Sequence, residues 1–331
     1  MSRPPRILLP HTVVLLTSRV EQGLPFVRTP LMESILWSAL AVAQNLYPLK
    51  VISFVIMGNH IHLIVLVEDP ELVESFMERF KCETSHAINR LMGRRQVTVW
   101  CEGYHSPAIL TESDLIEKIA YVYANPMRAH LAESISTYQG VSSWGMLVSG
   151  EGAKQVKRIR RPMIDPLPKG RLSAQQQGQL ACSVEQRSKE TLEFTLTPDA
   201  WQVAFPKSLT SQALNQRVLE RVQEIEIEMT EIRRAKGIRI PSAHEVISQP
   251  IDIPYAPTTF GRRMWCICSD IPRRIAFISL VRYLRAEARN VRMNWLRGDY
   301  SEPFPVGLFP PCQPILANLL PAFVRNSLAP V

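Results

Sequence analysis

The sequence predicts an α+β fold: a small antiparallel sheet with packed helices, close to a ferredoxin-like arrangement, followed by a mostly α-helical C-terminal region. Three observations predict it. Strand-like and helix-like segments alternate through the first 150 residues in the order β-α-β-β-α-β-α. A Gly-Asn pair at 58–59 joins two apolar, β-branched runs as a hairpin. Farther along, apolar side chains recur every three or four residues over 208–236 and 272–297, which is typical of helices.

The elements of the first half follow from composition and capping signals. The predicted strands are 12–20, 51–57, the apolar run that starts at His60, and one or two short strands within 97–110; the predicted helices are 29–46, 69–93 and 112–131. The first helix has Thr29 as N-cap and Pro30 at its first position, and the second has a similar Asp-Pro start. In the third, Asn125-Pro126 also suits the N-cap of a restarted helix, so a break there is an alternative.

Positive charge is concentrated in the second half of the chain. The first 150 residues carry 12 basic and 13 acidic side chains, whereas the remaining residues carry 26 and 17. Such an excess suggests a polyanionic partner, with nucleic acid first, although solubility alone is the simpler alternative. We predict three parts: a first domain over 1–148, a basic linker over 149–171, and a mainly helical, basic accessory region over 172–331.

Eight basic side chains are the predicted DNA contacts. Lys157, Arg158, Arg160 and Arg161 lie in the linker, and Arg282, Arg285, Arg289 and Arg292 follow one another at spacings of 3, 4 and 3 along the last helix. Such a ladder suits a phosphate backbone, and a solvated helix face is the equal alternative. Beyond it, the prolines of 302–314 predict an extended segment.

Cysteine usage and hydropathy bear on the compartment. The six cysteines, at 82, 101, 182, 266, 268 and 312, are scattered, which favours free thiols in a reducing cytoplasm. The N-terminal apolar patch is short and broken by Pro10 and His11, so we expect no signal peptide. No apolar run approaches the ~20 residues that span a bilayer. We therefore expect a cytoplasmic protein that has no membrane partner.

Two histidines one residue apart open the second hairpin strand. His60 and His62 point to the same face of that strand, while Ile61 and Leu63 point to the other. Three interpretations stay open: hydrogen-bonded structural imidazoles, two ligands of a zinc ion, or two ligands of a harder divalent ion beside a phosphate. A zinc hydrolase would also need a third ligand and a general base, and the sequence offers no convincing candidate for either.

The third helix carries a polar stripe. Its members recur at spacings of 4, 3, 4 and 3 residues and are Asp114, Lys118, Tyr121, Asn125 and Arg128. A tyrosine and an amide one turn apart can both face a neighbouring metal ion. Tyr123 points about 200° away from Tyr121 around the helix, off this stripe.

Four motifs, taken in order and spacing, resemble the single-tyrosine transposases of the HUH superfamily, and most closely the REP-associated tyrosine transposases. They are "MGNHIHLIV", "VWCEGYHSPAIL", "YVYANPMRAHL" and "YQGVSSWG", and the resemblance covers roughly residues 8–147. It implies an HUH domain in which His60, His62 and Asn125 bind a divalent metal, Mg²⁺ or Mn²⁺, and Tyr121 is the nucleophile. Gly58 replaces the proline usual in the family motif and serves the same turn.

The resemblance also implies an activity. The expected function is metal-dependent cleavage and strand transfer of single-stranded DNA through a 5′-phosphotyrosine, at hairpin or palindromic ends. The expected partner is single-stranded or hairpin DNA, and the expected state is a monomer or a homodimer. The alternative is a domesticated protein that binds hairpin DNA without productive transposition.

Overall fold

A mixed sheet forms the centre of the protein. The structure is a computed structural model, which describes residues 6–21, 29–168, 172–206, 209–242, 245 and 264–310. The strands are β1 (Thr12–Arg19), β2 (Lys50–Ile56), β3 (His60–Val67), β4 (Ala108–Ile109), β5 (Ala153–Lys157), β6 (Thr191–Thr195) and β7 (Cys266–Ile267). The central sheet has the order β2-β3-β1-β4-β7, and β5 and β6 form a separate antiparallel pair. All central pairings are antiparallel except that of β4 with β7.

Helices cover both faces of the central sheet. They are α1 (Pro30–Leu46), α2 (Pro70–Leu91), α3 (Glu112–Arg128), α4 (Trp144–Ser149), α5 (Ala174–Arg187), α6 (Ser211–Lys236) and α7 (Ile271–Leu296). The chain from β1 to β4 therefore runs βαββαβ with the strand order β2-β3-β1-β4, which confirms the predicted ferredoxin-like arrangement. α1 and α2 pack on one face, and α3 and α6 pack on the other.

The two cores explain why the hairpin strands are almost wholly apolar. On the first face, Trp37 of α1 packs edge-on against Phe54 at 5.4 Å and Phe194 at 5.6 Å between ring centroids. On the second face, Trp201 is fully buried with the apolar stripe of α6, which begins at Leu214. Because water reaches neither face, both faces of β2 and β3 carry apolar side chains.

Local capping fixes where the helices begin. The hydroxyl of Thr29 accepts a hydrogen bond from the Met32 amide, and the carboxylate of Asp69 accepts one from the Glu71 amide. Each cap is followed by a proline, which needs no hydrogen-bond partner for its nitrogen at this position. The predicted starts of α1 and α2 are confirmed.

α3 is continuous through Pro126, so the predicted alternative of a break at Asn125-Pro126 is wrong. Proline lacks the amide that would bond the carbonyl of Val122. The side-chain amide of Asn125 lies 3.1 Å from the Tyr121 carbonyl and 3.5 Å from the Val122 carbonyl, and it donates to them. The side chain beside the proline thus compensates for the missing backbone donor, and the helix runs on to Arg128, three residues short of the predicted end.

The second half of the chain packs on the first. β7 extends the central sheet beside β4, and α6 covers α3. Residues 153–157, within the predicted linker, form β5, and Val156, Ile159 and Ile164 are buried in the first core. The boundaries at 148 and 171 remain a prediction, although the parts on either side share hydrophobic cores.

Some predicted features fall outside the described residues. They are positions 169–171 of the predicted linker, residue 208 at the start of the helix predicted over 208–236, positions 311–314 of the predicted extended segment, and Cys312. The cysteines at 82, 101, 182, 266 and 268 are free thiols. Among the helices of the described residues, none has the length and apolar character needed to cross a membrane.

Candidate active site

The two histidines lie at the start of β3, on the sheet face that α3 covers. Their ring centroids are 4.8 Å apart, and His62 is 7% exposed whereas His60 is half-buried. Ile61 and Leu63 point into the opposite core, as the strand alternation predicts. The hairpin turn at 58–59 therefore sets both imidazoles at one end of the sheet.

Neighbouring oxygens fix the orientation of both rings. Nδ1 of His60 lies 2.7 Å from Oδ1 of Asn59, and an amide oxygen only accepts, so this Nδ1 carries the proton. Nδ1 of His62 lies 3.0 Å from the hydroxyl oxygen of Thr17, which accepts from Nδ1 when this nitrogen carries the proton. Nε2 of His60 then keeps its lone pair, and so does Nε2 of His62 in the tautomer with the proton on Nδ1. Hydrogen bonds of this kind commonly orient histidines that bind metals.

Both imidazoles are neutral at neutral pH. Burial, with a smaller contribution from the charge of Arg19, lowers the pKa of His60 to about 4. Burial also lowers the pKa of His62 well below its ordinary value, and neighbouring positive groups add to this effect. A neutral imidazole is the form that binds a metal ion.

Tyr121 of α3 faces the histidine pair. Its ring centroid lies 6.2 Å from that of His62, with the two rings edge-on, and its side chain is half-buried. Tyr123 points into the second core, where it is fully buried and its hydroxyl lies 2.8 Å from the Ser143 hydroxyl. Burial raises the pKa of Tyr123 well above its ordinary value. The half-turn between Tyr121 and Tyr123 thus separates an accessible phenol from a core residue.

Two other tyrosines, Tyr138 and Tyr104, make contacts that hold them within the fold. The Tyr138 hydroxyl donates to the Ile56 carbonyl at 2.7 Å, and this side chain is buried. The ring of Tyr104 lies under the Arg6 guanidinium at 4.1 Å, and burial raises the pKa of Tyr104 to about 12. Neither residue lies on α3 with Tyr121.

Asn125 lies one turn after Tyr121 and is 8% exposed. Its amide nitrogen is occupied by the helix carbonyls described above, so Oδ1 is the atom that remains to bind a metal ion. The contacts between rings bring His60, His62 and Tyr121 together, whereas the hydrogen bonds of Asn125 tie it to its own helix.

Three cations surround this group. The Lys118 ammonium lies 4.9 Å from the centroid of the Tyr121 ring, and the Arg128 guanidinium lies 5.5 Å from it. Arg19 pairs with His60 across β1 and β3. The polar stripe indicated Lys118 and Arg128, but sequence analysis missed Arg19, because its position depends on the register of two strands far apart in sequence.

Asp114, the first member of the polar stripe, has a different task. It is 8% exposed, and its carboxylate accepts from the Ser269 amide at 3.0 Å and 3.1 Å. It thereby ties the residues after β7 to the start of α3. This acidic side chain holds the second half of the chain in place and does not belong to the candidate active site.

Two imidazoles and one amide oxygen are the candidate donors for a divalent metal ion. Two neutral imidazoles and an amide oxygen are available, and positive side chains stand next to them. Within the described parts of the chain, no three His, Cys, Asp or Glu side chains gather as a metal site.

The predicted DNA contacts differ in accessibility. Arg158 and Arg160 form ion pairs with Glu190 at 2.8 Å and 2.7 Å, and Lys157 donates to the Thr191 hydroxyl at 3.2 Å. Arg161 is exposed. On α7, Arg282, Arg289 and Arg292 are exposed, and Arg285 is half-buried against the ring of Trp265.

Comparisons with known proteins agree with the motifs. Residues 11–125 match the model of the family described as "Transposase IS200 like", a range that contains the histidine pair and Tyr121 and ends at Asn125. One solved structure, of a REP-associated tyrosine transposase bound to a REP hairpin, matches at 19% identity and a TM-score of 0.39. That match covers 45% of this chain and 86% of the other. No curated protein matches the chain. Over residues 11–125, the chain is therefore similar to the IS200-like transposases.

Proposed function

We propose that the protein cleaves and transfers single-stranded DNA, with Tyr121 as the nucleophile and a divalent metal ion held by His60, His62 and Asn125. The observation that carries the proposal is the placement of the Tyr121 ring, whose centroid lies 6.2 Å from that of His62, with His60 and Tyr121 both half-buried. The match of residues 11–125 to the model of a transposase family supports the reaction class.

The residues present fit the metal ion that this family implies. His60 and His62 would each supply an Nε2 lone pair, and Asn125 would supply its amide oxygen. When bound, Mg²⁺ or Mn²⁺ polarises the scissile phosphate and stabilises charge as the transition state forms. Imidazole ligands favour Mn²⁺ over Mg²⁺ in vitro.

The chemistry assigned to Tyr121 is phosphoryl transfer. Its Oη forms a bond to the scissile phosphorus while the bond from phosphorus to the 3′ oxygen breaks, and the phenol proton passes through solvent to that oxygen. The products are a 5′-phosphotyrosine and a free 3′-hydroxyl. Attack by a 3′-hydroxyl reverses the step, so strand transfer needs no nucleotide energy source.

Lys118, Arg128 and Arg19 would neutralise the charge of the phosphate backbone at this point. Lys118 and Arg128 lie over the Tyr121 ring, and Arg19 stands opposite His60. Hydrogen-bonding cations close to a transferring phosphoryl group lower the barrier most when they are already in place. We propose hairpin or palindromic DNA ends as the substrate, which the motif resemblance implies, with the active unit a monomer or homodimer in the cytoplasm.

The experiment is a covalent trap. The full chain is mixed with a labelled single-stranded oligonucleotide that carries a hairpin, with Mn²⁺ or Mg²⁺, and resolved on a denaturing gel. We expect a covalent adduct that Tyr121→Phe abolishes while leaving hairpin binding intact, because only a hydroxyl is lost.

The matched control is Tyr123→Phe, which should keep the adduct because Tyr123 is fully buried. An adduct that survives in Tyr121→Phe and disappears in Tyr123→Phe would overturn the assignment. A wild-type chain that binds the hairpin but forms no adduct would support the alternative of a domesticated binding protein.

A further inference from the structure

An aromatic and basic surface lies at the outer edge of the central sheet, next to β7. Trp265 is 36% exposed and Met264 is 49% exposed, although both adjoin a buried strand. The guanidinium carbon of Arg285 lies 4.6 Å from the centroid of the Trp265 ring. We call Trp265 and Arg285 together the Trp–Arg platform.

Backbone and side-chain contacts connect the platform to the catalytic end of the sheet. Thr17, which orients His62, exchanges two backbone hydrogen bonds of 2.8 Å with His105. His105 Nε2 lies 2.7 Å from the carbonyl oxygen of Met264, the residue before Trp265. The platform is thus linked through Met264 and His105 to Thr17, the residue that contacts His62.

The helix behind the platform is strongly basic. α7 contains six arginines and a single acidic residue, Glu287. Arg289 and Arg292 are exposed and continue from Arg285 at spacings of 4 and 3 residues, along a stretch of about 10 Å. A row of cations that starts at an exposed aromatic ring is the combination that binds single-stranded nucleic acid.

We infer that the Trp–Arg platform binds the single strand that flanks the cleavage point: a base stacks on Trp265 and Arg285, and Arg289 and Arg292 contact the next phosphates. This inference rests on the proposed function for its ligand and adds the path of the strand beyond Tyr121. Every base can stack, because each base has an aromatic face. The platform therefore contributes affinity and guides the path of the strand, and it does not contribute sequence specificity.

The test measures equilibrium binding by fluorescence anisotropy, with the full chain carrying Tyr121→Phe, no metal, and a labelled hairpin with a single-stranded flank. Trp265→Ala should weaken binding roughly 5- to 100-fold, the usual effect of removing one stacking platform, and leave the dependence on salt unchanged. Trp265→Phe should retain most of the affinity. Arg289→Gln should weaken binding and reduce the slope of log affinity against log salt by ~0.7, as the loss of one phosphate contact does.

Arg273→Gln is the matched control. It removes the same charge from the same helix, but Arg273 lies near Asp270 at the start of α7, with 3.6 Å between the charged atoms, away from the platform. Its salt slope should equal that of the parent chain. A second readout uses 5-iodouracil at successive flank positions, and the cross-link to Trp265 should peak at one fixed distance from the cleavage point.

These outcomes separate the inference from the proposed function. Unchanged affinity in Trp265→Ala, with unchanged affinity and slope in Arg289→Gln and no cross-link to Trp265, would overturn the inference. A wild-type chain that forms no phosphotyrosine adduct would defeat the catalytic proposal, while the binding differences among these variants would still stand.

Discussion

Thr17 is the side chain that fixes the ring of His62. Its hydroxyl lies 3.0 Å from Nδ1, and it sits directly opposite His62 in the pairing of β1 with β3. Such a partner sets both the tautomer and the direction of the other ring nitrogen. The affinity for a metal ion is therefore expected to depend on a residue that does not touch the ion.

Thr17→Val tests this dependence, because valine keeps the shape of threonine and loses the hydroxyl. We expect the metal concentration for half-maximal cleavage to rise by about 10- to 100-fold. The maximal rate at saturating Mn²⁺ should change much less. Thr17→Ser, which retains a hydroxyl, is the control, and equal metal requirements in the valine and serine variants would contradict the role given to Thr17.

Removal of either imidazole should have a larger effect. We expect His60→Ala and His62→Ala each to lower metal-dependent cleavage more than about 100-fold, because a ligand itself is lost. Excess EDTA should do the same to the wild-type chain, and added Mn²⁺ should reverse it. His86→Ala on the exposed side of α2 is the matched control and should cleave normally. Full-rate cleavage in excess chelator would rule out the metal ion.

At the scale of the element, Asn125 of α3 has a structural task and, under the proposed function, a chemical one. The amide nitrogen supports a helix that contains Pro126, and the amide oxygen is left for the metal ion. Two variants separate these tasks. Asn125→Ala loses both, whereas Asn125→Asp keeps an oxygen ligand but loses the donor.

For Asn125→Ala we expect weaker but measurable cleavage, since water replaces a neutral amide ligand, together with a loss of about 1 kcal/mol of stability. For Asn125→Asp we expect a similar loss of stability with metal-dependent cleavage retained. Thermal unfolding and the rate of adduct formation measure the two effects. Wild-type cleavage in Asn125→Ala would remove Asn125 from the ligand set.

At the scale of the whole molecule, the two halves of the chain share both hydrophobic cores. α6 covers α3 with a stripe of buried side chains, which are Leu214, Val218, Val222, Ile225 and Met229. Full burial of each such side chain stabilises by roughly 1.5–3 kcal/mol, and a domain has only about 5–15 kcal/mol in total. The helix that carries Tyr121 is therefore held in place by residues outside the matched family range.

We expect a fragment of residues 1–150 to lack the cooperative unfolding transition of the full chain, because it would expose the α3 face that α6 and Trp201 cover. Circular dichroism during urea denaturation measures this directly. The full chain in the same buffer is the reference. A fragment that unfolds cooperatively at the midpoint of the full chain would show that the first half is stable alone.

Local signals in the sequence were sufficient to predict the helices and strands and part of the candidate site. Alternation along β3 placed His60 and His62 on one face, and the capping residues Thr29 and Asp69 marked the helix starts. Helical spacing separated Tyr121 from Tyr123. These features depend on residues within one or two turns of each other, so a short window of sequence contains the physical cause.

Tertiary structure alone decided which distant residues share the site. Strand register brought Arg19 opposite His60, β7 paired with β4 and set Trp265 at the sheet edge, and Glu190 neutralised two arginines predicted to bind DNA. Each of these contacts joins segments more than 25 residues apart, and the burial of two shared cores selects the arrangement. Local propensity and spacing carry no information about such pairings, because their stabilising free energy arises only when the whole chain is packed.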